Sequence, residues 1–180
     1  MCFKKIIPFF AAPAKAFEAE RREDLSETLK YGLCGIAILA VLSGIVSTVV
    51  LRTIVGGNVL LAFLFLFLIT LIGGFLGLVF YSLWLHLWTY LLGGREDFEH
   101  TVKTVFYSAT PVYYIGWIPF VSVIGLVWFF VLQAIGLTKL QKLSTGSAVL
   151  AVLVSVLLPL VLMGIMLLGA LMGMSTLKPF

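Results

Sequence analysis

Four long stretches of this chain contain no charged residue, and they limit what it can fold into more than any other feature. They cover residues 31–51, 53–94, 104–138 and 143–177. Each is longer than the roughly 18 apolar residues that indicate a membrane-spanning helix. With 62% hydrophobic and 11% charged residues, the chain carries more apolar surface than a soluble domain can bury. The sequence therefore predicts an all-α, polytopic transmembrane helical bundle and excludes a water-soluble fold.

Turn residues and length divide these stretches into about five spans. We place them at residues 31–51, 59–81, 101–116, 120–137 and 148–172, after a cytoplasmic segment over residues 1–30. The run from Val59 to Leu92 is too long for one straight span. We therefore expect its helix to end near Tyr81, with Trp84, Trp88 and Tyr90 at the headgroup level. Residues 101–138 form either two short spans or a re-entrant hairpin, and the charge pattern fits both.

The basic residues are sorted very unevenly between the two ends of these spans. Arg52 and Lys178 fall on one side. The other ten share the opposite side: Lys4, Lys5, Lys15, Arg21, Arg22, Lys30, Arg95, Lys103, Lys139 and Lys142. This asymmetry predicts a cytoplasmic N-terminus and a C-terminus across the membrane, which we expect to be the cell membrane. Anionic lipid headgroups explain the net charge of +4, so nucleic acid binding is not needed.

The segment before the first span predicts a short interfacial amphipathic helix. It starts at Pro13, with Phe17 among charged residues, and we expect it to lie on the membrane. Asp24 with Glu27 resembles a capping box, which predicts that the first long helix begins there. The apolar residues near the N-terminus are too few for a signal peptide and are predicted to be a retained interfacial anchor. They are Ile6, Ile7, Phe9 and Phe10.

Three glycines and one proline inside the spans are candidate packing or functional positions. Gly73 and Gly77 make a small-xxx-small step, and Gly74 lies between them, so we expect close helix packing. A hinge or a ligand groove is the alternative, because glycine pairs also permit kinks. Pro159 predicts a kink in the last span and frees the carbonyl of Ser155, which neighbouring helices or the Ser155 hydroxyl could satisfy.

Titratable residues give little sign of chemistry. His86 lies in an apolar run, which makes it a functional candidate, but its tryptophan neighbours favour an interfacial histidine at the headgroups. The polar loop over residues 93–100 predicts a solvated surface rather than a metal site. The sequence contains no nucleophile elbow, zinc pattern or phosphate-binding glycine loop. We expect no catalytic residue, no metal and no cofactor.

A pattern of spaced small and aromatic residues resembles a known membrane domain. It consists of Gly93-Gly94, Phe98, Thr101, Tyr107-Ser108-Ala109-Thr110-Pro111, Trp117-Ile118-Pro119, Trp128 and Gly136-Leu137, with Pro13 and Phe17 before the first span. On these residues the chain resembles the Yip domain family, the Ypt/Rab-interacting membrane proteins and their short prokaryotic relatives. The resemblance implies about five spans and a cytoplasmic N-terminus. It also selects Tyr107, Pro111, Trp117 and Pro119 as candidate positions.

The resemblance implies a noncatalytic membrane scaffold that recruits proteins or organises lipid through its cytoplasmic face, as a homo- or hetero-oligomer with other membrane proteins. Only residues 1–30 precede the first predicted span, whereas trafficking members carry a long cytoplasmic region, so small-GTPase binding has little support here. The alternative is a small transporter, channel or lipid-moving protein that uses a glycine- and proline-lined groove. A membrane-embedded enzyme is the third hypothesis and lacks a supporting motif.

Overall fold

Helices account for almost the whole chain in its computed structural model, which describes residues 5–55 and 58–176. In chain order they are α1 (Ile6–Ala11), α2 (Pro13–Glu20), α3 (Leu25–Val55), α4 (Val59–Leu91), α5 (Phe98–Ser108), α6 (Thr110–Ile115), α7 (Val121–Leu140) and α8 (Thr145–Thr176). The described residues contain no strand. This confirms the predicted all-α architecture.

Four of these helices are long and apolar enough to cross a membrane, over residues 25–50, 59–91, 121–140 and 145–170. The protein is therefore an integral, multi-pass membrane protein. The third predicted span, residues 101–116, is divided into α5 and α6, which meet at Ala109. Pro111 explains the break, because its ring would clash with the Tyr107 carbonyl in a continuous helix.

The sequence analysis predicted the start of α4 correctly and its end wrongly. Asn58 caps the first turn, since its side-chain oxygen accepts hydrogen bonds from the backbone N–H groups of Leu60 (3.0 Å) and Leu61 (3.2 Å). The predicted start is confirmed, although Gly56 and Gly57 of the expected turn lie outside the described residues. The predicted end near Tyr81 is wrong, because the helix continues to Leu91. The chain offers no glycine or proline there until Gly93, whose φ of 104° ends the helix.

The N-terminal segment packs on the bundle instead of lying free on the membrane. Phe9 of α1 and Phe17 of α2 are 1% and 0% exposed, so the apolar side of this segment faces protein. The prediction that Phe9 is a lipid anchor is therefore wrong, whereas Ile7 is 73% exposed. The predicted start of the first long helix is confirmed, because the Asp24 carbonyl accepts hydrogen bonds from the first turn of α3.

Glycines of α3 allow two large aromatic rings to reach its backbone. A Cβ atom on Gly32 would lie 2.2 Å from the ring of Phe106, and one on Gly35 would lie 2.3 Å from the ring of Tyr113. Both rings are almost completely buried. The sequence analysis did not single out either glycine, yet they determine how closely α5 and α6 approach α3.

The glycines of α4 behave differently from the expected small-xxx-small contact. A Cβ atom on Gly73 or Gly77 would meet no other atom within 4 Å, so both face open space on the outside of the described bundle. Only Gly74 faces inward, where a Cβ atom would lie 3.2 Å from Cγ2 of Ile36. The close approach between α3 and α4 therefore involves Gly74 alone among these three.

We predict that Gly35→Ala destabilises the folded protein by about 1–3 kcal/mol, because the added methyl group overpacks a buried ring. Gly73→Ala is the matched control, since it adds the same methyl group to open space. Thermal unfolding in detergent, followed by tryptophan fluorescence, measures both variants. Equal midpoints for Gly35→Ala and the wild type would contradict the packing described here.

Candidate functional site

Three segments that are distant in sequence meet at one end of the bundle, which we call the charged end. Arg21 donates hydrogen bonds to the carbonyl of Lys139 (2.9 Å) and to Glu96 (3.0 Å). Lys142 pairs with the same Glu96 at 2.5 Å, and Lys139 pairs with Glu18 at 2.6 Å. These contacts join α2, the α4–α5 loop and the end of α7 into one surface.

The ionisation of the two carboxylates reflects these contacts. A hydrogen bond from Lys142, together with its positive charge and that of Arg21, lowers the pKa of Glu96. A hydrogen bond from Lys139 and its charge lower the pKa of Glu18. Both carboxylates therefore stay ionised at neutral pH, and the segments remain joined by charge.

A second set of polar groups lies deeper and involves the candidate residue Tyr107. We call it the Tyr107 cluster; its members are Lys5, Glu20, Glu23, Thr28 and Tyr107. The Lys5 ammonium lies 2.6 Å from Glu20 and 3.1 Å from the Tyr107 hydroxyl, and it also pairs with Glu23. The Tyr107 hydroxyl donates to both carboxylates, at 3.2 Å to Glu20. Two acidic side chains and one lysine thus hold the N-terminal segment on α5.

Aromatic packing places the Tyr107 hydroxyl within this cluster. The ring of Phe9 stacks on Tyr107 with centroids 5.1 Å apart, and Phe17 meets Phe9 edge-on at 5.0 Å. The Tyr31 ring lies 5.2 Å from Tyr107 on another side. Because Tyr107 is 0% exposed, its hydroxyl cannot reach water directly and must find partners in the protein.

The two glutamates of the Tyr107 cluster differ in their ionisation. Burial and a hydrogen bond with Glu23 raise the pKa of Glu20. Burial also opposes ionisation of Glu23, but hydrogen bonds with Glu20, Lys5 and Tyr107 outweigh it and lower the pKa of Glu23 to about 2. Lys5 pairs with both carboxylates. This arrangement suits a role in holding the N-terminal segment against α5.

Both prolines inside the bundle leave a backbone carbonyl without its usual donor, and a side chain supplies each replacement. The Thr110 hydroxyl donates to the Tyr107 carbonyl at 2.6 Å, next to Pro111. The Trp84 indole N–H donates to the Ser155 carbonyl at 2.8 Å, one turn before Pro159. The sequence analysis left a neighbouring helix and the Ser155 hydroxyl as alternatives for this carbonyl, and the donor is Trp84 of the neighbouring helix α4.

A layer of hydrogen bonds crosses the bundle beside this contact, and we call it the Tyr81 layer. The Tyr81 hydroxyl donates to the Gln133 side-chain oxygen at 2.8 Å and lies 3.2 Å from the Ser155 hydroxyl. These residues come from α4, α7 and α8 respectively. The layer therefore fixes the three helices at a common level.

His86 lies at a contact between α4 and α5. Its Nδ1 shares a hydrogen bond of 2.8 Å with the hydroxyl of Thr101, and its ring meets Phe98 edge-on at 5.3 Å. Gln141 donates to the same hydroxyl at 2.9 Å. This group links α4, α5 and the end of α7. Within the described ranges, no group of three or more histidine, cysteine or acidic side chains could hold a metal ion.

The remaining candidate positions lie near the tip of the α5–α7 hairpin and beside a cavity. The Trp117 indole N–H donates to the Tyr114 carbonyl at 2.9 Å, and Pro119 precedes Phe120, whose φ is 66°. Gly74 lines a cavity of about 200 Å³ between α3, α4, α6 and α7. The structure thus separates the candidates into hairpin tip, cavity and Tyr107 cluster.

Sequence reasoning missed several polar residues that the structure brings together. The sequence analysis placed Lys5, Glu20 and Glu23 in the cytoplasmic segment over residues 1–30 and did not predict that they meet on Tyr107. Lys103 is only 2% exposed and donates to the carbonyl of Arg21 at 3.3 Å while pairing with Glu99 at 2.6 Å. The spacing of Glu99 and Lys103, four residues apart on a helix, was the available signal for that pair.

We predict that Tyr107→Phe loosens the N-terminal segment, because Lys5, Glu20 and Glu23 each lose a buried hydrogen-bond partner. Bonds to charged groups contribute about 1.5–3 kcal/mol each. Hydrogen exchange should become faster over residues 13–23 and stay unchanged in α8. Tyr90→Phe is the matched control, since Tyr90 is 54% exposed. Unchanged exchange over residues 13–23 in Tyr107→Phe would show that the hydroxyl does not hold the segment.

A comparison with protein families agrees with the resemblance inferred from the sequence. A model of the Yip1 domain matches residues 8–168, which include most of the N-terminal segment, the Tyr107 cluster except Lys5, and the four long helices, with α8 matched up to Leu168. No curated protein and no solved structure matches the chain. The match covers most of the chain, and the protein belongs to the Yip1 domain family.

Proposed function

We propose that this protein is a noncatalytic membrane scaffold whose charged end faces the cytoplasm and recruits partner proteins or organises lipid. The observation that carries the proposal is the joining of α2, the α4–α5 loop and the end of α7 through Arg21, Glu96 and Lys142. A surface built from three segments and held by ion pairs is preorganised, so a partner pays less ordering entropy on binding.

Exposed cations on this surface support the proposal. Lys15 and Arg22 are both exposed, and neither makes an ion pair with a described residue. Arg95, in the α4–α5 loop, is also exposed, and its guanidinium lies over the Tyr90 ring at 4.6 Å. Free cations at a membrane surface attract acidic proteins and anionic headgroups. The predominance of basic residues at this end favours a cytoplasmic orientation.

A small transporter or lipid-moving protein is the second candidate function. The cavity between α3, α4, α6 and α7 favours it, because Gly74 and Ala109 contribute to a lining of small and apolar groups. Ion coupling by a buried carboxylate has no support, since all eight acidic residues precede Tyr31 or lie between Glu96 and Glu99. The cavity suits apolar molecules, and the scaffold role remains the better supported function.

The first test extracts the protein into native lipid particles and quantifies the proteins and lipids that copurify by mass spectrometry. We expect a stoichiometric partner protein, or enrichment of anionic lipid, with the wild type. The double variant Lys15→Gln/Arg22→Gln should weaken that association by up to about thirtyfold, because each cation contributes about 1 kcal/mol near the surface.

The matched control is Lys15→Arg/Arg22→Lys, which keeps both charges and should retain the association. Both variants leave the buried Tyr107 cluster intact, so the bundle should unfold at the wild-type temperature. If the uncharged variant retains everything that the wild type retains, this surface is not the recruiting face. A preparation that holds only the protein and one selectively retained solute would favour the transport function.

A further inference from the structure

The Tyr81 layer provides a reference level for depth in the membrane. From Tyr81 to Val59, α4 covers about 33 Å, and from Ser155 to Thr176, α8 covers about 32 Å, at 1.5 Å per residue. Both lengths match the roughly 30 Å hydrocarbon core of a bilayer. Taking the far ends of α4 and α8 as one hydrocarbon boundary places the layer near the other boundary, on the side of the charged end.

The cavity of about 200 Å³ lies inside that core. Its lining comes from four helices: Ile36, Leu39, Thr70, Gly74, Leu78, Ala109, Val112, Tyr113, Leu126 and Phe129. Leu126 precedes Gln133 of the Tyr81 layer by two helical turns, which places it about 10 Å into the hydrocarbon. The cavity is thus deeper than any charged group among the described residues that line the bundle.

One end of the cavity is closed and the other is open. Ile36, Ala109 and Tyr113 form the closed end and are 2–3% exposed. Leu126 is 48% exposed at the open end, where Leu39 and Thr70 are half-buried. Because α7 carries Leu126 on its outer face, the opening meets the lipid surrounding the bundle.

Two backbone features border this cavity. Gly74 lets α4 approach α3 closely, because a Cβ atom there would lie 3.2 Å from Cγ2 of Ile36, so the wall at this point is backbone. Ala109 lies between the end of α5 and the start of α6 and contributes a small side chain to the lining.

We propose that this cavity binds the terminal part of one lipid acyl chain. Apolar cavities of about 150 Å³ stay dry and accept apolar molecules, because water finds no polar partners there. Thr70 and Tyr113 are the two lining residues with a hydroxyl, and that of Tyr113 already donates to the Phe106 carbonyl, so a charged or strongly polar ligand would lose its solvation without compensation. Acyl chains are the apolar groups present at the opening, and they gain van der Waals contacts that an empty cavity forgoes.

The proposal does not depend on the recruiting role of the charged end. Its test uses the full chain in phosphatidylcholine vesicles that contain a phosphatidylcholine with a diazirine near the end of one acyl chain. After illumination, mass spectrometry locates the crosslinked residues. We expect crosslinks to concentrate at Leu39, Thr70 and Leu126, over those at outward residues such as Leu76.

Thr70→Phe fills the cavity from α4 and should lower these crosslinks at least fivefold. Gly73→Phe is the matched control, because it adds the same ring to the open outer face of α4 and should leave them unchanged. If Thr70→Phe does not fold, as judged by thermal unfolding, Leu126→Trp closes the opening from α7 with the same expected loss. Crosslinks spread evenly over the lipid-facing surface, or unaffected by a folded filling variant, would overturn the proposal.

A different observation carries a second inference, about the α5–α7 hairpin. From Gln133 in the Tyr81 layer, α7 reaches only about 18 Å toward the far end before it begins at Val121. The tip of the hairpin therefore stops more than 10 Å short of the ends of α4 and α8. Its residues carry no charge and are largely apolar: Gly116, Trp117, Ile118, Pro119 and Phe120.

Five backbone N–H groups at this tip have partners within it, which lowers the cost of placing its backbone in hydrocarbon. The N–H groups of Gly116 and Ile118 donate to carbonyls of α6, and those of Val121, Ser122 and Val123 donate to carbonyls of the turn. Irregular backbone without such partners would be costly at membrane depth. Phe120 is 91% exposed, which suits contact with lipid tails. We infer that the hairpin is re-entrant, entering and leaving at the charged end.

Spin labels on single cysteines test this inference in a background without Cys2 and Cys34. A label at Phe120→Cys should be accessible to oxygen, which partitions into hydrocarbon, and protected from a water-soluble nickel complex. A label at Asn58→Cys, in the exposed α3–α4 turn, is the matched control and should show the reverse. Equal access of the nickel complex to both labels would place the hairpin tip in water and overturn the inference.

Discussion

Satisfying backbone carbonyls inside an apolar bundle is the constraint on which the rest of this structure depends. Two prolines release carbonyls that no water can reach, and each is recovered by a side chain from a defined place: Thr110 for Tyr107, and Trp84 for Ser155. The second contact joins α4 to α8 within the Tyr81 layer. The first orients the break between α5 and α6, which directs Tyr107 toward the N-terminal segment. Local chemistry at two prolines thereby positions both the Tyr107 cluster and the helices around the cavity.

The Tyr107 cluster holds the N-terminal segment of the charged end in one position. An N-terminal segment with Lys5, Glu20 and Glu23 would be expected in water, but stacking of Phe9 on Tyr107 brings these charges against a buried hydroxyl. The buried charges are tolerated because each meets an opposite charge or a hydrogen-bond donor. The cost of breaking such a group is large, so the surface formed by α2 and its neighbours is held in one arrangement. That rigidity is what a recruiting surface requires.

The sequence was sufficient for features that depend on long runs of one residue class. Charge-free stretches predicted the helical membrane bundle, and the spaced motif from Gly93 to Leu137 pointed to the family. Local signals were also reliable where one residue decides the outcome, as at Asn58 and at Asp24. These features follow from hydropathy and capping, which act over a few residues and need no knowledge of the partner helix.

Features that depend on long-range contacts could not be predicted in the same way. Phe9 and Phe17 are equally compatible with lipid and with protein, and only the position of Tyr107 decides between them. Gly73, Gly74 and Gly77 are alike in sequence, yet the rotation of α4 against α3 turns only Gly74 inward. The end of α4 was misjudged because its length was compared with the membrane thickness. A helix whose inner face continues to find protein contacts extends beyond the bilayer core, as Leu85 and Thr89 show by being fully buried.

A series of aromatic rings connects the Tyr107 cluster with the cavity, and this sets how the two could influence each other. Tyr113 closes the cavity, its ring lies 6.3 Å from Tyr31, and Tyr31 lies 5.2 Å from Tyr107. The Tyr113 ring also packs against Gly35 of α3, where a Cβ atom would lie 2.3 Å from the ring. A movement of α6 in response to an occupant would carry with it the Thr110 hydroxyl that bonds Tyr31 and the Tyr107 carbonyl. A bound acyl chain can shift the conformational equilibrium of the Tyr107 cluster only by the difference in its contact free energy between two positions of α6.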